Sequence, residues 1–498
     1  MGILDAPVKF PRSNLFKGLP IIGSRGSAFA DNSASNLSNG TDTTTTYRYK
    51  HVILFDGSDV RLVYGNFYNG DVKGVNTITV RAGLEWPVST PQGSATVAST
   101  NPVSFNGSRS VIIEPGCWAV SDPICMDVTA GQLVFSRTNV TVASAGMKWP
   151  TSLYTYAGEQ EGYTAGSDTS DSGTIATASG RGYGPIAVLG IPDRGKPATV
   201  AGLGDSIMFG SGDSGFPNGL GYASRALMDA NIGFMNLAKN TEQAAQVDPT
   251  TVGLKYRRNL LASCTHVMEA YGRNDWGNAA SLATLQANKL KLWNMAARRG
   301  IKVTTATNFP ATTSTDGWTS AGGQTVIAGE SVRVAINDWI RDGAPILNGV
   351  AVAAGSSAAG TVRMGQAGHP AVGYHELADA AETSRNSGVW KTGAIRTVTD
   401  AAINSNSTTL TSATAAFTSA DVGKAIAITG AGASATIMNA TILGVTNSTT
   451  VSIDTNAGTT VSGATAKMGA IYVYDGTHLS TFGHVTLKSA VNVGLFTG

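Results

Sequence analysis

A serine at the end of a short apolar strand is the first place along this 498-residue chain where reactive chemistry could sit. The strand is TVAGL, and the turn after it reads Gly204-Asp205-Ser206-Ile207. Open α/β sheets carry their sites at strand carboxyl ends. A helix beginning at the serine would aim its free N–H groups at developing negative charge. The tripeptide is cheap, since it recurs as Gly212-Asp213-Ser214. That copy follows a Gly/Ser loop rather than a strand, so Ser206 is the candidate nucleophile. A second segment, Gly272-Arg273-Asn274-Asp275, follows the strand HVMEAY. The Asn274 amide can donate hydrogen bonds to an oxyanion, although Gly, Asn and Asp also suit a plain turn. The third segment is Asp475-Gly476-Thr477-His478. A carboxylate three residues before a histidine meets the imidazole if the segment makes one turn. It then fixes the tautomer and leaves the other ring nitrogen to take a serine proton. Each segment alone is outweighed by a surface turn. Together, in the order Ser, Asn, Asp, His, and each after a predicted strand of one α/β domain, they are far stronger than any one.

Other candidates carry less. The pentapeptide G-x-S-x-G is absent around Ser206 because position 208 is Met, which counts against the commonest lipase fold. His484 reads as a packing residue of the terminal helix, and His266 as a core residue of a central strand. His369 and His375 flank the loop GHPAVGYHE, as solvated loop residues or as pocket residues. Trp276 either lines a pocket or packs. Cys117 and Cys125, in CWAVSDPIC, read as two buried thiols rather than a bridge, and Cys264 as core. No cysteine–histidine spacing resembles a zinc site, so no metal or other cofactor is expected.

Elements that could position these residues follow from periodicity. Residues 1–45, rich in Ser, Asn, Thr and Gly, read as an irregular arm. Over 46–195, HVILFD, VRLVYGNFY, NTITVRAGLEW, RSVIIEPG and QLVFSRTNVTV alternate apolar with polar residues between turn residues, which predicts an antiparallel β-sandwich of the jelly-roll kind. From 196 to 387 the period changes. The segments TVAGLG, GFMNLA, THVMEAYG, IKVTTATNFP and APILNGVAVA predict strands. GYASRALMDAN, SLATLQANKLKLWNMAARRG and GESVRVAINDWIRDG predict helices, so a parallel sheet covered on both faces is expected. Helical spacing disappears over 388–470, which reads as a small all-β domain inserted before the last element of the α/β domain at 471–498.

Composition limits the partners. Hydrophobic residues make up 42% and charged residues 14%, which is globular. A net charge of +2 with no Lys/Arg block gives no reason to expect nucleic acid or an anionic membrane. No apolar run is long enough to span a bilayer. The start, MGILDAPVKFPRSNLFKGLP, lacks the pattern of a signal peptide, and Gly2 is not followed by the Ser or Thr usual for myristoylation.

Over roughly 198–385 and 471–498 the chain resembles the SGNH (GDSL-like) hydrolase superfamily. GDSI matches that family's first block, YGRND its third (Gly-x-Asn-Asp), and DGTHLSTFGH its last, Asp-x-x-His followed by a helix. The resemblance implies a three-layer α/β domain with a flavodoxin-like parallel sheet. It implies a carboxylic ester hydrolase with Ser206, Asp475 and His478 as its triad and no cofactor. The implied oxyanion hole takes the N–H groups of Ser206 and residue 241 with the Asn274 amide. The family's second block supplies a glycine. In the matching stretch, Asn236 to Glu242, Thr241 takes its place, with Asn240 the other candidate. The 46–195 segment resembles the β-sandwich that precedes the catalytic domain in some secreted members, where Trp86, Trp118 and Trp149 are either sugar platforms or core. The inserted segment is similar to small β units of bacteriophage tail proteins. These likenesses imply an extracellular, virion or cell-surface setting and a short-chain acyl ester or acetylated polysaccharide as substrate. The competing reading is an adhesion or carbohydrate-binding protein with a vestigial hydrolase domain.

Overall fold

The computed structural model describes residues 18–25, 36–68, 71–88, 96–151, 153–215, 219–247 and 254–497. Most of the arm expected over 1–45, with Gly2, lies outside the described residues. Part of that arm is not irregular. Ile21–Ser24 is a fully buried strand hydrogen-bonded between Ala187–Pro192 and Thr44–Ile53. Only two consecutive isoleucines mark it in the sequence, too short a run to show alternation.

The strands of the N-terminal third form one branched, ten-stranded antiparallel network in which Thr44–Ile53 and Ile78–Glu85 each pair with more than two neighbours. Its polar positions are not all solvent-facing. Arg48 and Arg137, opposite each other on paired strands, are fully buried and share the Glu85 carboxylate. Trp118 and Trp149 are buried core residues and Trp86 is partly buried against them. Cys117 is half-buried. Cys125 is exposed, contrary to the expectation of two buried thiols. Ile124 forms the bridge to Val60 and the next residue turns outward.

The middle of the chain builds a five-stranded parallel sheet ordered Gly233–Asn236, Thr199–Gly204, His266–Ala270, Lys302–Ala306, Gly373–His375. Numbered along the chain, that order is 2-1-3-4-5, so the first strand lies inside the sheet with its carboxyl end beside the point where strand order reverses. Ligands bind open α/β sheets at such switch points. The fifth strand, Gly373–His375, falls where a loop was expected. The segment expected as that strand, APILNGVAVA, makes a separate hairpin, Ile346–Leu347 with Val350–Ala351. Asn348 and Gly349 both have positive φ, 53° and 80°, and the Asn-Gly pair favours this tight turn. Helix Leu282–Ala297 starts at Ser281, whose side chain accepts the Thr284 N–H, and helix Glu330–Arg341 packs near it.

The open edge of the parallel sheet is covered by the N-terminal strand. Ser24 Oγ donates to the Phe234 carbonyl and accepts its N–H, both at 2.9 Å. A Cβ at Gly233 would lie 2.0 Å from the Ile21 carbonyl oxygen, so only glycine permits this approach. Residues 392–471 close into a six-stranded barrel. Its first and last strands, Thr392–Ile403 and Val461–Ile471, pair antiparallel with Thr392 opposite Ile471. The chain therefore leaves and rejoins the α/β layer at one place. Among the described residues no helix is long and apolar enough to cross a membrane.

Candidate active site

Strand Thr199–Gly204 is buried along its whole length and delivers the serine to the sheet's carboxyl edge. A one-turn helix, Ser206–Phe209, begins at once. Asp205 caps it, its Oδ1 accepting the Ile207 N–H at 2.9 Å. The turn ends at Gly210, φ 96°, where an added Cβ would meet the Gly221 backbone at 2.8 Å. Ser206 itself is 9% exposed.

Ser206 Oγ lies 2.7 Å from His478 Nε2, and His478 Nδ1 lies 2.6 Å from Asp475 Oδ2. The other Asp475 oxygen accepts the backbone N–H groups of Thr477 and His478 at 2.9 and 2.7 Å. Burial raises the Asp475 carboxyl pKa, but the hydrogen bonds and charge of His478 and those two N–H groups outweigh it and hold the group below the usual carboxylate range. The turn between acid and histidine depends on Gly476 at φ 82°. A Cβ there would sit 1.8 Å from the Thr312 carbonyl oxygen. The Gly476 carbonyl accepts from Trp390 Nε1 at 3.0 Å and from the Thr312 N–H at 3.1 Å. The Tyr474 ring stacks on His478 with centroids 5.8 Å apart.

The segment from Asn236 to Glu242 runs beside the serine strand. The Leu237 and Lys239 N–H groups donate to the Gly202 and Gly204 carbonyls at 2.9 and 3.0 Å. The Asn236 amide donates to the carbonyls of Met208 and Phe209, tying the same segment to the helix that begins at Ser206. Thr241 has φ 65°, the left-handed region that glycine favours. Asn240 uses its side-chain oxygen to accept from Ser211 Oγ at 3.4 Å. Asn274 Nδ2 donates to the Glu242 carbonyl at 3.1 Å, joining the third segment to the second. Asp275 reinforces that joint by accepting the Ala244 N–H at 3.0 Å. Burial raises its pKa against the lowering effect of that bond.

Polar groups that no local pattern announced fix the loop after strand His266–Ala270. Glu269 and Lys289 are both fully buried and paired at 2.8 Å. The same carboxylate accepts from the Tyr271 N–H, Trp293 Nε1 and Thr305 Oγ1. Gly272, φ 144°, is packed so closely on Asn308 that a Cβ would lie 1.8 Å from its Oδ1. Arg273 lies over the Trp276 ring at 4.6 Å and donates to Thr477 Oγ1 at 3.2 Å. Trp276 is buried. Burial lowers the Arg273 pKa, opposed by the charges of Asp205 and Asp475. For Asp205, burial is the largest influence and pushes the carboxyl from 3.8 up to about 6, against the Ile207 hydrogen bond and the positive charges of His478 and Arg273. Its Oδ2 is buried with no hydrogen-bond partner.

The second Gly-Asp-Ser has a different setting. Asp213 forms a buried two-pronged ion pair with Arg225 at 2.7 and 2.8 Å. Ser214 Oγ donates to Asp454 of the barrel and approaches Thr481 Oγ1. His484 is fully buried, accepting the Tyr222 N–H at 3.1 Å and bonding the Ser211 carbonyl, and burial lowers its pKa. His375 is buried in the fifth strand, with Nε2 3.0 Å from Thr304 Oγ1, rather than on a solvated loop. His369 bonds the Ala344 carbonyl and the Ala371 backbone. His266 sits in a central strand, 2.8 Å from Thr265 Oγ1. Among the described residues no group of three or more His, Cys, Asp and Glu side chains is placed to hold a metal.

A scan against protein-family models finds no match to this chain. No curated protein matches it either. Among solved structures it is similar to a family two carbohydrate esterase from Clostridium thermocellum, at 12% identity over 66% of this chain and 86% of that one, TM-score 0.23. It is also similar to a GDSL-like lipase from Bacteroides thetaiotaomicron, at 10% identity over 60% and 87%, TM-score 0.28. A third is an acetyl-xylooligosaccharide esterase from Geobacillus, at 17% identity over 23% and 60%, TM-score 0.19.

Proposed function

We propose that the chain is a serine carboxylesterase of the SGNH type that hydrolyses short-chain acyl esters, above all acetyl groups carried on polysaccharide. One observation carries the reading: hydroxyl, imidazole and carboxylate stand in hydrogen-bonded series, Ser206 to His478 at 2.7 Å and His478 to Asp475 at 2.6 Å. His478 Nε2 takes the Ser206 proton as Oγ attacks the ester carbonyl. Asp475 accepts from Nδ1, so the free lone pair faces the serine and the imidazolium that forms is stabilised. The N–H groups of Ser206 and Thr241 and the Asn274 amide receive the oxyanion. The Asn274 nitrogen has two hydrogens; one goes to the Glu242 carbonyl, which orients the other. His478 then protonates the leaving alcohol, and water cleaves the acyl-enzyme by the same route. Every proton in this cycle moves between groups of the chain, substrate and water.

The 2-1-3-4-5 strand order supports a flavodoxin-like three-layer catalytic domain over 196–387 and 471–498, with the β domain of 46–195 and the barrel of 388–470 as accessory units. An acetylated sugar is favoured over a lipid because polar side chains stand near the triad: Arg273 donates to Thr477, the residue before His478. An extracellular or virion-surface setting suits a polysaccharide target. The test is hydrolysis of p-nitrophenyl acetate and release of acetate from acetylated xylan or pectin, comparing the wild-type chain with Ser206→Ala. Wild-type turnover should fall by at least about a thousandfold in the variant, as expected when a triad nucleophile is removed. A wild-type chain that hydrolyses no ester, or a variant that keeps full activity, would sink the proposal.

A further inference from the structure

We infer that Asp71, a residue of the N-terminal β domain, is a positioning residue for the oxyanion loop of the α/β domain. The inference rests on the esterase reading above and assigns the accessory domain a part in it. Arg257 stands at the centre. Its side chain is fully buried, and its guanidinium reaches both domains. On one side Nη2 and Nη1 donate to the two Glu242 oxygens at 2.6 and 2.9 Å, and Nη1 also donates to the Leu237 carbonyl at 2.7 Å. These acceptors lie at the two ends of the 237–242 loop, and Glu242 directly follows Thr241. On the other side Nε and Nη2 donate to Asp71 Oδ2 at 3.0 and 2.6 Å. Asp71 Oδ1 also accepts the Tyr256 N–H at 3.1 Å. Charge-assisted, forked contacts of this kind fix geometry as well as charge.

Further contacts on both sides make the arrangement a clamp. Tyr256 stacks on Phe67 of the β domain with centroids 5.3 Å apart, and Gly116 approaches the same ring so closely that a Cβ would lie 2.8 Å from the tyrosine oxygen. In the α/β domain Tyr271 Oη donates to Glu242 Oε2 at 2.6 Å, and Asn274 Nδ2 donates to the Glu242 carbonyl. Glu242 thus adjoins Thr241 in the loop and accepts from the Asn274 amide. The order of restraint is Asp71, Arg257, Glu242, and then the two oxyanion donors beside it. Oxyanion donors act only when aimed at the place where charge develops, so the β domain sets the aim from outside the catalytic layer.

The experiment uses the full chain with Asp71→Asn and Asp71→Glu. Glu242 still neutralises Arg257 in both, so the fold is kept. For p-nitrophenyl acetate, Asp71→Asn should lower kcat about tenfold with KM within about twofold, because misaimed donors weaken transition-state binding and leave ground-state binding alone. Asp71→Glu should recover most of that loss. Hydrogen exchange supplies a readout free of activity: amides of 237–242 should exchange faster in Asp71→Asn, while those of strand His266–Ala270 are unchanged. Unchanged exchange in 237–242, or an unchanged kcat, overturns the inference. If the wild type hydrolyses no ester but exchange in the loop still rises, the clamp stands and the esterase reading fails.

Discussion

Replacing Asp205 by Asn keeps the helix cap, because an amide oxygen can accept the Ile207 N–H as the carboxylate does. It removes the charge. Asp205 is 1% exposed, one of its oxygens has no partner, and burial pushes its pKa from 3.8 to about 6. Each tenfold change in proton affinity corresponds to about 1.4 kcal/mol. A rise to about 6 therefore implies that ionising Asp205 costs the folded state about 3 kcal/mol. The sign follows from proton counts. Below 3.8 the carboxyl is protonated in both folded and unfolded chains, and it has no effect. Between 3.8 and about 6 the folded chain holds a proton that the unfolded chain has lost, so stability falls as pH rises. Above about 6 the loss is complete. Asp205→Asn lacks this dependence. Its stability relative to wild type should rise by about 2–3 kcal/mol between pH 4 and pH 7.5. The comparison cancels every contribution that does not change with pH, including the cap and the packing. Urea unfolding followed by tryptophan fluorescence measures it, since Trp276 and Trp390 are buried in the same domain. Wild-type and variant stabilities that run parallel from pH 4 to pH 7.5 would refute the reasoning.

Two further substitutions test the loops around the serine. Thr241→Gly should leave ester hydrolysis within about threefold and stability within about 1 kcal/mol, since relief of the positive φ offsets the added unfolded-state entropy. Thr241→Pro should abolish hydrolysis, because proline has no N–H and cannot adopt φ 65°. Equal activity in the two variants would remove residue 241 from the oxyanion hole. Lys289→Met should destabilise the chain by about 3–5 kcal/mol by leaving Glu269 buried without its counter-charge. Adding Glu269→Gln should restore most of that stability in urea unfolding, and a double variant no more stable than Lys289→Met would show that the pair is not coupled.

What could be read from the sequence was local. The serine turn announces itself because Gly204-Asp205-Ser206 follows directly on an apolar strand. The acid and histidine are three apart, so one turn joins them, and the reach of that turn is fixed by Gly476. Asn-Gly at 348–349 was an equally local signal for a hairpin, but it lay inside an apolar run that also suited a sheet strand. The contacts that aim the site were not legible. Asp71 and Arg257 are separated by 186 residues, Glu269 and Lys289 by 20, and a buried charge looks like any surface charge until its partner is placed. Thr241 shows the same limit: its residue type argues against a left-handed backbone, and the loop that carries it is bonded to Gly202, Gly204 and Asn274.

The barrel interrupts the α/β domain immediately before the acid and the histidine, a position where any slack would separate Ser206 from His478. Two features keep that slack out. The barrel's first and last strands are hydrogen-bonded to each other from Thr392 opposite Ile471, so the insertion begins and ends at one point. The turn beyond it is held by residues outside the barrel. Gly476 is bonded to Trp390, which precedes the first barrel strand, and to Thr312 of the hairpin Thr312–Ser314 with Gln324–Val326. Barrel contacts with this region fall on other residues, Asp454 on Ser214 and Lys467 on Thr319. The acid–histidine turn is thus bonded to residues outside the barrel, while the barrel's last strand holds the start of the helix that follows, its Ile471 carbonyl accepting from Ser480 Oγ at 2.6 Å.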